Sequence, residues 1–210
     1  MTTRFLLVRH AQSDWNTEGR FQGHSDRPLT DLGRQQAAQV AERLRHEPID
    51  AVFSSPQQRS LQTAFAIANL HELPVHRDDR LIERGWGKFE GLTREEVIAR
   101  YPPWKRYLTG QATRWPDDQA NGIEDSSAVE ARVQSIKAEL ITWFANGTVV
   151  VVSHGATLNI WLRLALGINV DAPVHFRLFN CAISEVLASP TGLTVHCLNE
   201  NAHLAAESPA

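Results

Sequence analysis

The chain has 210 residues, 42% of them hydrophobic and 21% charged, with a formal net charge of −3. This is an ordinary globular composition, long enough to bury a large core in one domain. With a negative net charge and no Lys/Arg block, it has no broad field to draw it to nucleic acid or an anionic membrane, so an anionic ligand must be held by local cations.

Met1-Thr-Thr-Arg4 leads straight into an apolar run, without the core of a signal peptide, and the longest apolar stretches, such as Val149–Val152, are too short to cross a bilayer. Cys181 and Cys197 make no disulfide framework and read as free thiols of a reducing compartment, so cytoplasm is the expected location. Phe5–Val8 reads as a buried strand that ends in Arg9-His10. A polar, glycine-containing loop from Ala11 to Pro28 follows. Thr30 then reads as the N-cap of a helix through Leu44, with Ala37, Val40, Ala41 and Leu44 on one face. Ile49–Phe53 is a second strand. Ser54-Ser-Pro56 is expected to open another helix, since serine caps well and proline suits the first helical position. A short third strand lies around Val75.

The segment from Leu81 to about Asp125 differs in composition, carrying Trp86, Trp104, Trp115 and three prolines, with one helical run near Thr93–Tyr101. It reads as an insertion covering a crevice, its tryptophans either lining a pocket or packing the insertion itself. Ser127-Ala-Val-Glu130 matches a capping box, and Val129, Val133, Ile136 and Leu140 carry the helix onward. Thr148–Val152 is the most clearly buried strand; it ends in Ser153-His154-Gly155 and is followed by a helix through Leu166. Phe176–Phe179, Ile183–Leu187 and Leu193–Leu198 are β-rich, and the tail after His203 is expected to fray. Alternating strands and helices predict an α/β fold: a three-layer α/β/α sandwich with a mainly parallel central sheet and a helical and loop insertion over the site.

Two buried strands therefore end in histidine. In parallel neighbours, His10 and His154 emerge at one edge of the sheet, where open α/β folds bind ligands. Arg59 follows the end of another strand, at a helix N-terminus that itself favours anions. Arginine suits bidentate recognition of phosphate or carboxylate. Histidine can be nucleophile, base or donor near neutral pH. Arg9, His10, Arg59 and His154 could together surround one phosphoryl group. The remaining histidines, at 24, 46, 71, 76, 175, 196 and 203, lack metal-ligand spacing.

The motifs Leu7-Val-Arg-His-Ala-Gln-Ser-Asp-Trp-Asn16, Gly19-Arg-Phe-Gln-Gly23 and Asp26-Arg-Pro-Leu-Thr30 resemble the histidine phosphatase (phosphoglycerate mutase-like) superfamily. The resemblance continues through Ser54-Ser-Pro-Gln-Gln-Arg59, Gln62-Thr-Ala64, Leu81-Ile-Glu83, Gly87-Lys-Phe-Glu-Gly91 and Ser153-His-Gly155, covering nearly the whole chain in order. Ala11 stands where the family usually has glycine; it asks for more room and removes no functional group. The resemblance implies that His10 is the nucleophile, giving a phosphohistidine, with its other ring nitrogen donating to a fixed acceptor such as a backbone carbonyl. Arg9, Arg59 and His154 would hold the phosphoryl oxygens, with Asn16 donating to them as well. Glu83 would protonate the leaving alcohol and then act as base for water, although Glu90 is a second carboxylate close by. Arg20, Gln22, Gly23 and Gly155 are further candidate substrate- or phosphate-binding positions. No metal or other cofactor is implied. Lys105, Arg106 and Arg114, beside the acidic Asp117-Asp118, make a poor second anion site, so a phosphatase acting on a small phosphorylated metabolite is expected ahead of a mutase or a non-catalytic binder. Oligomeric state stays open, a homodimer included.

Overall fold

The computed structural model describes residues 1–109, 111, 119–169, 172 and 174–204. Six strands form one sheet in the order β3-β2-β4-β1-β5-β6. They are β1 (Thr3–Arg9), β2 (Ala51–Ser54), β3 (Val75–Arg77), β4 (Thr148–Ser153), β5 (Ile183–Ser189) and β6 (Gly192–Glu200). The pairs β1–β4, β4–β2 and β2–β3 are parallel, whereas β5 runs antiparallel to β1 and to β6. The expected α/β sandwich with a mainly parallel sheet is thus the observed one.

The strand alternation builds the layers. On one face Phe5, Leu7, Val149 and Val151 pack with Val133, Ile136 and Leu140 of α6 (Ser126–Trp143) and Leu158, Trp161 and Leu162 of α7 (Gly155–Ala165). On the other, Leu6, Val8, Val150 and Val152 pack with Val40 and Leu44 of α2 (Asp31–Leu44) and Ala64 and Ile67 of α3 (Gln58–Leu70). Consecutive side chains on a strand point to opposite faces, so an unbroken apolar run such as Phe5–Val8 fits a sheet covered on both sides. Trp161 is fully buried, edge-on to Phe5 with ring centroids 5.2 Å apart. Trp161→Ala should cost about 3–5 kcal/mol, the usual range for emptying a large aromatic site. Denaturant titration checks this; a loss below about 1 kcal/mol would contradict the packing described.

The segment from 81 to 125 carries a small core of its own. Phe89, Val97, Trp104, Leu108 and Ile123 are buried together, with Trp86 packed at their margin. Trp104 therefore packs the insertion, while Trp115, Arg114, Asp117 and Asp118 lie outside the described residues. The predicted helical run is present as α4 (Arg94–Arg100), a complete capping box tying Thr93 to Glu96. The short helices α1 (Asp14–Thr17) and α5 (Lys105–Leu108) complete the set named here.

Three local expectations are corrected. Helix α3 begins at Gln58, not at Ser54-Ser-Pro56, because the distant Asp26 carboxylate accepts from the Gln58 N–H at 2.7 Å and supplies the cap. Helix α6 begins at Ser126 with Asp125 as N-cap, so Ser127 lies inside its first turn: Ala128 and Val129 N–H both donate to the Asp125 carbonyl. Phe176–Phe179 joins no strand. The Phe179 carbonyl accepts from the Ala182 N–H, and the other backbone partners found here are side chains: Asn159 on both polar groups of Phe176, Asn199 on the Arg177 carbonyl and Phe179 N–H, and Arg9 on the Leu178 carbonyl. The tail beyond residue 204 lies outside the described residues. Neither Cys181 nor Cys197 is joined in a disulfide.

Candidate active site

Strands β1 and β4 pair in a register that sets Arg9 opposite Ser153, so the residues just beyond them, His10 and His154, leave the sheet side by side. Their rings lie 5.0 Å apart, centroid to centroid. The His10 N–H donates to the Ser153 carbonyl at 2.9 Å, and Asn180 Nδ2 donates to the His10 carbonyl at 2.8 Å. The imidazole of His10 is pinned through Nδ1, 2.7 Å from the Ala11 carbonyl. A carbonyl only accepts, so Nδ1 carries the proton and Nε2 presents its lone pair. Thr63 in turn holds this turn in place by accepting from the Ala11 N–H at 3.0 Å.

The first turn of α3 supplies the rest of the cationic wall. Arg59 is fully buried; its Nη1 and Nη2 donate to the Ser25 and Gly23 carbonyls at 2.8 and 3.0 Å. Its Nε donates to His154 Nδ1 at 3.2 Å, which makes that nitrogen an acceptor and leaves the ring proton on Nε2, 3.2 Å from Ser60 Oγ. Both nitrogens of His154 thus engage protein groups, and the side chain orients Arg59. Arg9 anchors one end on the Leu178 carbonyl at 2.5 Å, while its Nε is buried with no hydrogen-bond partner among the described residues. A buried donor left open in this way is suited to an incoming acceptor.

Glu83 sits at the N-terminus of α7, where Ala156 and Thr157 N–H donate to its two oxygens, each at 3.2 Å, and Arg84 N–H adds a third bond at 2.8 Å. A Cβ built on Gly155 would lie 3.8 Å from Arg9 Nε and 3.9 Å from Glu83 Oε2, so both groups flank one point. Of the two competing carboxylates, Glu83 is therefore the one beside Arg9. Glu90 is turned to residues 23–25 and accepts from the N–H groups of His24 and Ser25.

The other predicted positions divide in two. Gly23 lends its carbonyl to Arg59, and the Asn16 amide oxygen accepts from the Ser13 N–H and from Asn180 Nδ2, which leaves its NH2 end for a ligand. Gln22 is buried and accepts from Ser13 Oγ at 2.9 Å. Arg20 is committed to Glu18, Glu96 and the Gly91 carbonyl, a tie between the first loop and the insertion, and is not brought to the phosphate wall. Gln57, Thr63 and Asn180 were not singled out from sequence. Gln57 bridges the Gly23 carbonyl, 2.8 Å from its Nε2, and the Glu83 N–H, 3.0 Å from its Oε1.

Burial holds both imidazoles neutral. His10 is pushed well below the ordinary histidine value by desolvation first, then by the charges of Arg59 and Arg9; His154 is pushed the same way by desolvation, then by Arg59. Both guanidiniums are lowered by burial and supported mainly by the charge of Glu83. The folded state thus binds fewer protons than the unfolded chain below pH ~6.5. Stability from these two groups is complete above that pH and declines as the pH falls through the window beneath it, by up to about 1.4 kcal/mol per pH unit for each imidazole. Thermal unfolding between pH 8 and 5 checks this; a Tm unchanged by that descent would contradict neutral burial.

Two guanidiniums beside two neutral imidazoles, with the Arg9 Nε donor left open, define a site for an anion such as a phosphoryl group. The chain belongs to the histidine phosphatase superfamily (branch 1), whose family profile matches residues 5–201. It is accordingly an enzyme that hydrolyses phosphate esters. It is 33% identical over 205 residues to phosphoserine phosphatase 1 of Hydrogenobacter thermophilus, across 96% of this chain and 94% of that protein. It is 35% identical over 182 residues to a probable phosphoglycerate mutase of Enterobacter sp. (strain 638), across 86% of this chain and 82% of that one. Among solved structures, a phosphoserine phosphatase variant of Entamoeba histolytica in complex with phosphoserine superposes with a TM-score of 0.83 at 28% identity, covering 97% of this chain and all of that one. A mycobacterial glucosyl-3-phosphoglycerate phosphatase complexed with VO3 gives 0.85 at 27% identity, covering 94% and 99%. No helix among the described residues is long and apolar enough to cross a membrane.

Proposed function

We propose that this chain is a metal-independent phosphomonoesterase of small phosphorylated metabolites, working through a phosphohistidine on His10. The observation that carries the reading is the bond from His10 Nδ1 to the Ala11 carbonyl, which leaves Nε2 as an aimed, unprotonated nucleophile. Nε2 attacks phosphorus while the ester P–O bond breaks, and Glu83, entering this step as the carboxylic acid, gives its proton to the departing alkoxide. Arg9 and Arg59 stabilise the charge on the equatorial oxygens, the work a metal ion does in other phosphoryl-transfer sites. In the second half, Glu83 as carboxylate takes a proton from water as the water oxygen attacks phosphorus. The P–N bond breaks, releasing orthophosphate and neutral His10.

A mutase must also hold a second acidic group of a retained intermediate. Among the described residues, Arg20 is ion-paired, Arg94 donates to the Leu108 carbonyl, and Arg84 donates to the Glu124 carbonyl and packs over Trp86. These three cations are committed to protein groups and form no second anion site, which favours water as acceptor; Arg177, whose charge reaches Arg9, packs over Phe179. The test is a kcat/KM panel in EDTA with p-nitrophenyl phosphate, phosphoserine and 3-phosphoglycerate, alongside a coupled mutase assay supplied with 2,3-bisphosphoglycerate. Orthophosphate release undiminished by EDTA is the expected result. Metal-dependent release, or interconversion faster than hydrolysis, would overturn it.

A further inference from the structure

Glu90 lies outside the reaction steps above, yet its carboxylate is fully used. Oε1 accepts from the N–H of His24 at 3.0 Å and of Trp86 at 3.2 Å; Oε2 accepts from the N–H and the hydroxyl of Ser25 at 2.9 and 2.7 Å. Four donors from two separate segments thus converge on one side chain. Bonds to a charged acceptor are stronger and more directional than neutral ones. The segment they fold is the one that grips Arg59: the Gly23 carbonyl receives Nη2, and the Ser25 carbonyl receives Nη1. The Gly23 carbonyl also takes Gln57 Nε2, whose amide oxygen holds the Glu83 N–H. Gly23 has φ +51°, and a Cβ there would fall 2.1 Å from Glu90 Oε1. Only glycine therefore fits both this left-handed turn and the close approach of the carboxylate.

We propose that Glu90 is a positioning residue for phosphate recognition: it folds residues 23–25 into the carbonyl cradle that aims the free N–H groups of Arg59 at the phosphoryl site. Arg59 has five N–H bonds, and the cradle and His154 use three, leaving one on each terminal nitrogen for a ligand. Glu90 also ties the insertion to this clamp through the Trp86 N–H. The inference rests on the proposed function for its link to turnover, but its effect on anion affinity does not need turnover.

The test combines Glu90→Ala and Glu90→Gln, each alone and with Arg59→Ala, with Tm recorded for every variant. Glu90→Gln keeps one acceptor oxygen and turns an NH2 group toward donors, so it disturbs the cradle with little change in volume. Orthophosphate Kd by calorimetry and kcat/KM on p-nitrophenyl phosphate are read for each. Misplacing a charge-stabilising group by about 1 Å can cost on the order of 10²-fold. The expected losses in kcat/KM are about 10²-fold for Glu90→Ala and about 10-fold for Glu90→Gln, with orthophosphate affinity weakened in the same order. In the Arg59→Ala background either Glu90 change should cost less than about 3-fold, because groups acting as one unit are not additive. Full additivity, or wild-type orthophosphate affinity in Glu90→Gln, would overturn the proposal. A wild-type protein that binds orthophosphate but turns over no ester would instead overturn the phosphatase mechanism and leave the cradle test readable.

Discussion

Replacing His10 with alanine is expected to lower kcat by at least about 10³-fold on every ester the wild type hydrolyses, with no metal restoring it. The size follows from the division of labour in the site. Arg9, Arg59 and their carbonyl anchors remain after the substitution, so a phosphate ester can still bind, but no atom replaces Nε2 as nucleophile. Ground-state affinity should therefore change far less than turnover, and orthophosphate should still inhibit. The imidazole is buried and neutral, so its loss removes no charge from the fold. A variant that keeps its Tm and loses only kcat is the pattern to look for in stopped assays and calorimetry. Turnover within about 10-fold of wild type would mean that the reaction runs without His10.

The second large effect belongs to Glu83. Glu83→Gln preserves shape and the bonds from the α7 N-terminus to one oxygen, but it can neither give nor take a proton. General acid–base groups contribute typically ~10²–10⁴-fold, and the loss should depend on the leaving group. For phosphoserine or 3-phosphoglycerate, whose alkoxides are strongly basic, kcat/KM should fall by about 10³-fold. For p-nitrophenyl phosphate, whose phenolate leaves unaided, the first step should be nearly spared, and the slow step becomes hydrolysis of the phosphoenzyme. A burst of nitrophenol, one per enzyme, followed by slow turnover would be its signature. Equal losses on both classes of ester would assign the proton to another group.

Much of this was legible in the chain. Buried parallel strands announce themselves by unbroken apolar runs, and a charged residue at the end of one is conspicuous. The sequence alone thus places Arg9-His10 and Ser153-His154 at a common edge. The expected order of helices and strands also held, since Ala37, Val40, Ala41 and Leu44 of α2 and Val129, Val133, Ile136 and Leu140 of α6 do face the core. What escaped were the long-range hydrogen bonds. The partners that aim the site are far apart in sequence: Asn180 to the His10 carbonyl, Thr63 to the Ala11 N–H, Gln57 to Gly23 and Glu83. No periodicity or local propensity encodes such a pairing. The same reason shifted the start of α3, whose cap comes from Asp26, and mistook Phe176–Phe179 for a strand, since asparagine side chains satisfy its backbone. Glu90 lies inside a motif of the sequence, but its four donors come together only in the fold.

These long-range bonds also give the site its character. Each reactive residue is held by a partner from another element: the His10 carbonyl by Asn180, Arg59 by the loop before α2, Glu83 by the N-terminus of α7. Positioning groups on rigid elements with supporting hydrogen bonds is what lets a few charges act on a transition state rather than on the ground state. Exchange of Arg59 for lysine would keep the charge but lose the planar fork that spans two carbonyls and a ring nitrogen.

The central claim is the covalent intermediate on His10, and mass spectrometry of the intact protein tests it most directly. The enzyme is mixed with p-nitrophenyl phosphate, quenched in alkali within the first turnover, and digested under conditions that preserve phosphoramidates. The expected result is a mass increase of one phosphoryl group, located at His10, lost in acid and accumulating further in Glu83→Gln. A wild-type enzyme that turns over while no phosphoryl group is ever found on His10 would contradict it.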